Sequence, residues 1–85
     1  MVSEEENSVP ALVETIVTQL VDYPDQLELT TSEKESSLLI ELHVAADDVG
    51  KVIGRHGRVI KAIRSLARAA SAGQGHGHVD VEIVN

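Results

Sequence analysis

Residues 49–72 carry helix-spaced apolar side chains almost throughout, yet glycines stand at positions 54 and 57 within the run. Glycine disfavours a helix interior, so the segment is predicted to fold as two helices joined by almost no linker. The first is short, capped by Asp47 or Asp48, with Val49, Val52 and Ile53 facing inward. The second starts at Gly57-Arg58, lasts to about Ala72 and buries Val59, Ile60, Ile63, Leu66, Ala67 and Ala70. Its open face carries Arg58, Lys61, Arg64 and Arg68.

Upstream, Leu12, Val13, Ile16, Val17, Leu20 and Val21 repeat at helix spacing between Ser8 and Asp22. Pro10 suits the first turn, and Tyr23, which precedes Pro24, is pushed out of the α region and ends the helix. Leu27, Leu29 and Thr31 alternate with Glu28 and Thr30, as in a half-buried strand. The polar stretch Ser32–Ser36 supplies a turn. Leu38, Ile40, Leu42 and Val44 then share one face of a second strand, with Glu41 and His43 on the other, and the pair reads as an antiparallel hairpin. After a loop at 73–78, rich in glycine and histidine, Val79, Val81 and Ile83 alternate with Asp80 and Glu82 in a last strand. The predicted fold is α+β, one domain of order α-β-β-α-α-β, with helices packed on one face of a three-stranded sheet. Residues 1–7 read as an acidic flexible tail and 8–85 as the domain.

At 85 residues the fold buries only roughly 60–65% of the surface its unfolded chain exposes, so a deep enzymatic cavity would compete with the core. Catalysis is not expected: Ser65 and Ser71 lie on a helix without an evident base. No cysteine is present, which excludes disulfides and thiolate zinc sites. The His76-x-His78 pair lacks a third ligand by spacing, so neither metal nor cofactor is expected. No apolar run approaches a membrane span, and the acidic start is unlike a signal peptide; the expected location is the cytoplasm.

Tyr23 is the only aromatic residue, so the aromatic base-stacking platforms of many nucleic-acid-binding folds cannot be built. Recognition of a nucleic acid would rest on backbone amides, basic side chains and an aliphatic groove. The net charge of −7 is unevenly spread: residues 1–50 hold twelve acidic and one basic residue, residues 51–68 six basic and none acidic. That asymmetry marks an anion site. Its centre is Gly54-Arg55-His56-Gly57, where the N–H groups that open a helix carry partial positive charge and bind phosphate without any particular side chain. Without a Cβ at 54 and 57, a sugar-phosphate chain can come close. Arg55 and His56 point to solvent, and Lys51, Arg58 and Lys61 surround the turn.

The string Lys51-Val52-Ile53-Gly54-Arg55-His56-Gly57-Arg58-Val59-Ile60 resembles the V-I-G-x-x-G-x-x-I signature of KH domains, whose G-x-x-G loop clamps about four nucleotides of backbone. Leu20–Asp25, Val49–Gly54, Ile60–Arg64 and Val81–Val84 look like the KhpA family of small bacterial KH proteins, over roughly residues 10–85. The resemblance implies a type II KH domain that binds single-stranded RNA, with Lys51, Ile53, Gly54, Arg55, His56, Gly57, Arg58, Lys61 and Arg64 as RNA-binding residues. Val52, Ile53, Val59 and Ile60 are candidates for the groove floor, and surplus apolar surface on the first helix is a candidate dimer face. The family also implies a homodimer, or a heterodimer with a KhpB-like multidomain KH protein, and a low-selectivity RNA chaperone or post-transcriptional regulator linked to cell growth and division. An adaptor working mainly through dimerisation or such a partner is the alternative, and a mononucleotide binder a third. The acidic tail, the Gly-His loop, and His56 where relatives often carry lysine or glutamine depart from the family pattern.

Overall fold

The computed structural model describes residues 8–73 and 77–85; the predicted acidic tail and the middle of the Gly-His loop lie outside them. Helix α1 spans Val9–Leu20, strands β1 and β2 Glu28–Lys34 and Ser37–His43, helices α2 and α3 Val49–Ile53 and Arg58–Ala72, and strand β3 His78–Ile83. Single 3-10 turns occupy Pro24–Gln26, Ala46–Asp48 and Arg55–Gly57. The α-β-β-α-α-β order is as predicted.

Ser8 caps α1 through its hydroxyl, which accepts from the Ala11 N–H at 3.2 Å, and Pro10 sits in the first turn. Val9, Val13 and Val17 have no exposed surface and form a stripe every four residues. Valine has modest intrinsic helix preference because χ1 is restricted, so tertiary burial fixes this helix. Fully burying such a side chain is worth about 1.5–3 kcal/mol. Ile16 and Leu20, half-buried, pack on the same cluster, so most of the apolar stripe predicted on α1 serves the core.

Strand β2 is central, antiparallel to β1 and parallel to β3. Parallel neighbours need a long crossover, which α2 and α3 supply. Leu38, Ile40, Leu42, Val79 and Val81 are all buried against the helices, the alternation expected of a sheet covered on one face. Two expectations fail around β1. The strand runs on to Lys34, which pairs with Ser37, so the hairpin loop is only Glu35-Ser36, with Glu35 at φ 53°. Only Leu29 of β1 is partly buried, and Thr31 is exposed, because β1 lies at the sheet margin.

On α3 the buried stripe is Ile60, Ile63, Ala67 and Ser71. Leu66, predicted to be inside, is 51% exposed; it stands one residue, about 100° of rotation, from Ala67. Ser71 is tolerated in the core because its hydroxyl donates to the Arg68 carbonyl at 2.9 Å. At the chain's end the Asn85 side chain bonds both backbone groups of Val44, at 3.1 and 2.6 Å.

Candidate nucleic-acid interface

Helix α2 closes with the Gly54 N–H on the Gly50 carbonyl at 2.9 Å. Gly54 then takes φ 77°, ψ 169°, an extended conformation at positive φ that essentially only glycine adopts. Its missing side chain matters within the protein: a Cβ here would lie 2.4 Å from Cγ2 of Val59. Gly57, at φ 72°, is different, because a Cβ there would meet nothing closer than Lys61 Cε at 3.9 Å. Between them His56 holds φ 59°, a left-handed conformation uncommon for a residue with a side chain. Two successive left-handed residues, His56 and Gly57, turn the chain between α2 and α3.

The Gly57 and Arg58 amides, expected to stand open at the start of α3, already donate to the Gly54 and Arg55 carbonyls in a 3-10 turn. Such a turn leaves the N–H groups of its opening residues without partners inside it, here Arg55 and His56. The amides available to an anion are therefore shifted two residues toward the N-terminus. The side chains of Arg55, His56, Arg58 and Lys61 are exposed and make no hydrogen bond or ion pair with another described residue.

Lys51 is placed otherwise. Its ammonium pairs with the Asp22 carboxylate and lies 3.5 Å from Oδ1 of Asp48. Asp48, fully buried, makes no cap for α2, and Asp47 makes no side-chain bond to another described residue. Instead Asp48 accepts from the Asp22 N–H through Oδ1 and the Tyr23 N–H through Oδ2, both at 3.0 Å. It ties the corner after α1 to the start of α2. Burial opposes its ionisation, but the two amides and Lys51 outweigh burial and hold the carboxyl below the ordinary carboxylate range. The hydrogen bond to Asp22 is the largest cause pushing the Lys51 ammonium up. The positive charge of Lys51 is thus largely answered from within the chain.

Arg64 sits six residues beyond Arg58, about 9 Å along the helix, and with Arg68 faces the outer edge of β3. Of the predicted floor, Val52 and Ile60 belong to the core, Val59 is half-buried, and Ile53, predicted to point inward, is 38% exposed. The structure thus gathers Ile53, Arg55, His56, Arg58 and Lys61 about the turn and leaves Lys51 and Arg64 engaged on either side. Sequence reasoning missed Asp80, which faces Arg64 and Arg68; its place on a strand next to two arginines of a helix has no local signal. Among the described residues no three potential metal ligands cluster, and no helix is long and apolar enough to cross a membrane.

Residues 10–83 match the family model described as KhpA/KhpB, KH domain. The chain is 50% identical over 60 residues to the RNA-binding protein KhpA of Oceanobacillus iheyensis, covering 71% of this chain and 80% of that one. It is 45% identical over 73 residues to the RNA-binding protein KhpA of Clostridium acetobutylicum, covering 86% and 96%. With the protein of the same name from Borreliella burgdorferi it shares 49% over 61 residues, covering 72% and 74%. No solved structure matches it significantly.

Proposed function

The chain belongs to the KhpA/KhpB family of KH domains, and on that premise we propose that it binds single-stranded RNA at the Gly54–Gly57 turn. The observation that carries this reading is a left-handed turn ringed by four exposed side chains, Arg55, His56, Arg58 and Lys61, that pair with no other described residue, in a chain of net charge −7. The phosphates lie against the turn, with the Arg55 and His56 amides as donors; Gly54 and Gly57 hold its shape. The bases pass over Ile53 and Val59 toward β3. Lys51 braces α2 against the corner after α1 rather than gripping phosphate. Arg64 contributes from the far wall of the groove. Residues 8–85 form the binding domain, and no catalysis is assigned to it.

With two to four phosphates held, log K falls against log salt with a slope on the order of −1.4 to −2.8. Affinity from one domain is low and selectivity poor, since backbone contacts carry no base information. Those properties suit a cytoplasmic RNA chaperone or post-transcriptional regulator with a link to growth and division. Replacing Arg55 and His56 by Asp while keeping both glycines tests the site. RNA binding is expected to collapse with the circular-dichroism spectrum unchanged; retained binding refutes the assignment.

A second reading, an adaptor that acts through self-association or a larger KhpB-like partner, draws on α3. Ala62, Leu66 and Ala69 are exposed at i, i+4 and i+7, an apolar stripe on a helix that is otherwise basic outside. The two readings are compatible, because a dimer formed there gains avidity if one RNA reaches both turns.

A further inference from the structure

Strand β3 is the outer strand on its side of the sheet, and an outer edge ordinarily presents unpaired carbonyls and amides. Two arginines of α3 take the carbonyls. Nε of Arg64 donates to Val81 O at 2.9 Å, and Nε of Arg68 donates to Val79 O at 3.1 Å. The Val81 N–H donates to Oδ1 of Asp80 at 2.8 Å. That same oxygen lies 3.3 Å from Arg64 Nε and 3.8 Å from Arg68 Nη2. With Lys61 and Ser65, these three side chains line an open cavity of about 510 Å³ between helix and strand.

A guanidinium has five N–H donors, so anchoring Nε on a main-chain carbonyl leaves most of the fork for another acceptor. Anchoring also lowers the entropic cost of gripping an anion, because the side chain is already ordered. The cavity therefore offers a phosphate two prearranged cations, with a carboxylate already lodged beside both.

We propose that Asp80 competes internally for the Arg64–Arg68 pair against the phosphate of bound RNA, so that the chain restrains its own affinity. The proposal rests on the RNA-binding reading above. The carboxylate acts twice: it weakens the attraction that the arginines offer and it repels the incoming phosphate. Glu82, two residues along the same strand, carries the same charge and makes no ion pair among the described residues, which makes it the natural control.

The test is fluorescence anisotropy of a labelled single-stranded RNA of mixed sequence, at low salt, with the full chain. In Asp80→Asn the amide oxygen can still accept the Val81 N–H, so the edge is kept. Binding is expected to tighten on the order of three- to fivefold, the upper scale of a partly exposed ion pair. Glu82→Gln, which changes net charge equally, is expected to tighten it less than about twofold, the distance-screened effect of one surface charge. Adding Arg64→Gln and Arg68→Gln is expected to erase the gain. Equal gains from Asp80→Asn and Glu82→Gln, or a gain that survives loss of both arginines, overturns the proposal. Should Asp80→Asn fail to fold, Asp80→Ser, whose hydroxyl also accepts the Val81 N–H, gives the same comparison. If Arg55→Asp with His56→Asp abolishes binding while Asp80→Asn changes nothing, only the role of Asp80 fails. If the wild-type chain binds no RNA, the underlying reading fails and the Asp80 proposal falls with it.

Discussion

A side chain at Gly54 and the side chain of Val59 compete for one volume: the Cβ that glycine lacks would lie 2.4 Å from Val59 Cγ2 and 2.9 Å from the Val59 amide nitrogen. The first glycine of the turn is thus required by packing of the turn on its own helix, the second by backbone conformation alone. Gly57→Ala is expected to cost about 1–2 kcal/mol, the penalty of a left-handed residue with a Cβ. Gly54→Ala adds a clash to an unfavourable φ and is expected to cost more than about 3 kcal/mol. Val59→Gly in the Gly54→Ala background removes the clashing Cβ and Cγ2, leaving the contact with the Val59 amide. Urea unfolding of the four proteins checks this; equal losses at 54 and 57 would show that packing against Val59 is unimportant.

Asp48 and Lys51 link stability to pH in opposite ranges. Its carboxyl is held below the ordinary range, so the folded chain binds that proton less readily than the unfolded one. The stability it contributes is complete above the unfolded value, about 3.9, and is lost as pH falls through the lower folded value. Lys51 is raised, so its contribution is complete below about 10.4 and is lost as pH rises through the higher folded value. In Asp48→Asn one amide N–H of the corner faces the new NH2 group instead of an acceptor, and the thermal midpoint at neutral pH is expected to drop by roughly 10 °C. The acid limb of the stability profile should flatten at the same time. Thermal melts of both proteins from pH 2 to 7 decide it: parallel profiles would mean that Asp48 is not ionised by this network.

What was legible in the sequence was what a local period encodes. Leu38, Ile40 and Leu42 alternate and are all buried; Gly54 and Gly57 stand where the chain turns. Long-range geometry was not legible. Asp48 looks like a helix cap because caps are read from neighbours in sequence, whereas its partners, the amides of Asp22 and Tyr23, lie 26 and 25 residues away. Lys51 counted as an anion ligand for the same reason, since nothing local announces Asp22. Leu66, expected inside, is exposed, and Ser71, which no apolar pattern includes, is buried, because a rotation of about 100° per residue leaves the margin of an apolar stripe undecided until the sheet is present. In β1, alternation promises one covered face, but only the layout of the helices determines that the cover stops at Leu29.

The exposed stripe on α3 makes oligomeric state a measurable property of one residue. If the homodimer proposed above forms there, Leu66→Lys places two charges against each other across a twofold axis, where the interface repeats itself. Light scattering behind a sizing column is expected to move from dimer to monomer mass. Folding should be unaffected, since Leu66 is already half in solvent. An unchanged dimer mass removes α3 from the interface.

His56 carries the last prediction, because stability and binding pull on it in opposite directions. Its φ of 59° costs about 1–2 kcal/mol in any residue with a Cβ. Glycine would remove that cost but lose more chain entropy on folding, about 0.5–1 kcal/mol. His56→Gly is therefore expected to stabilise the fold by roughly 0.5–1 kcal/mol, the difference between the two. RNA affinity should fall despite the gain, since a flexible glycine loosens the amide pair at Arg55 and His56 and removes an exposed donor. Urea unfolding and anisotropy on the same variant separate the two effects. A variant both more stable and tighter in binding would mean that the imidazole contributes nothing to holding the strand.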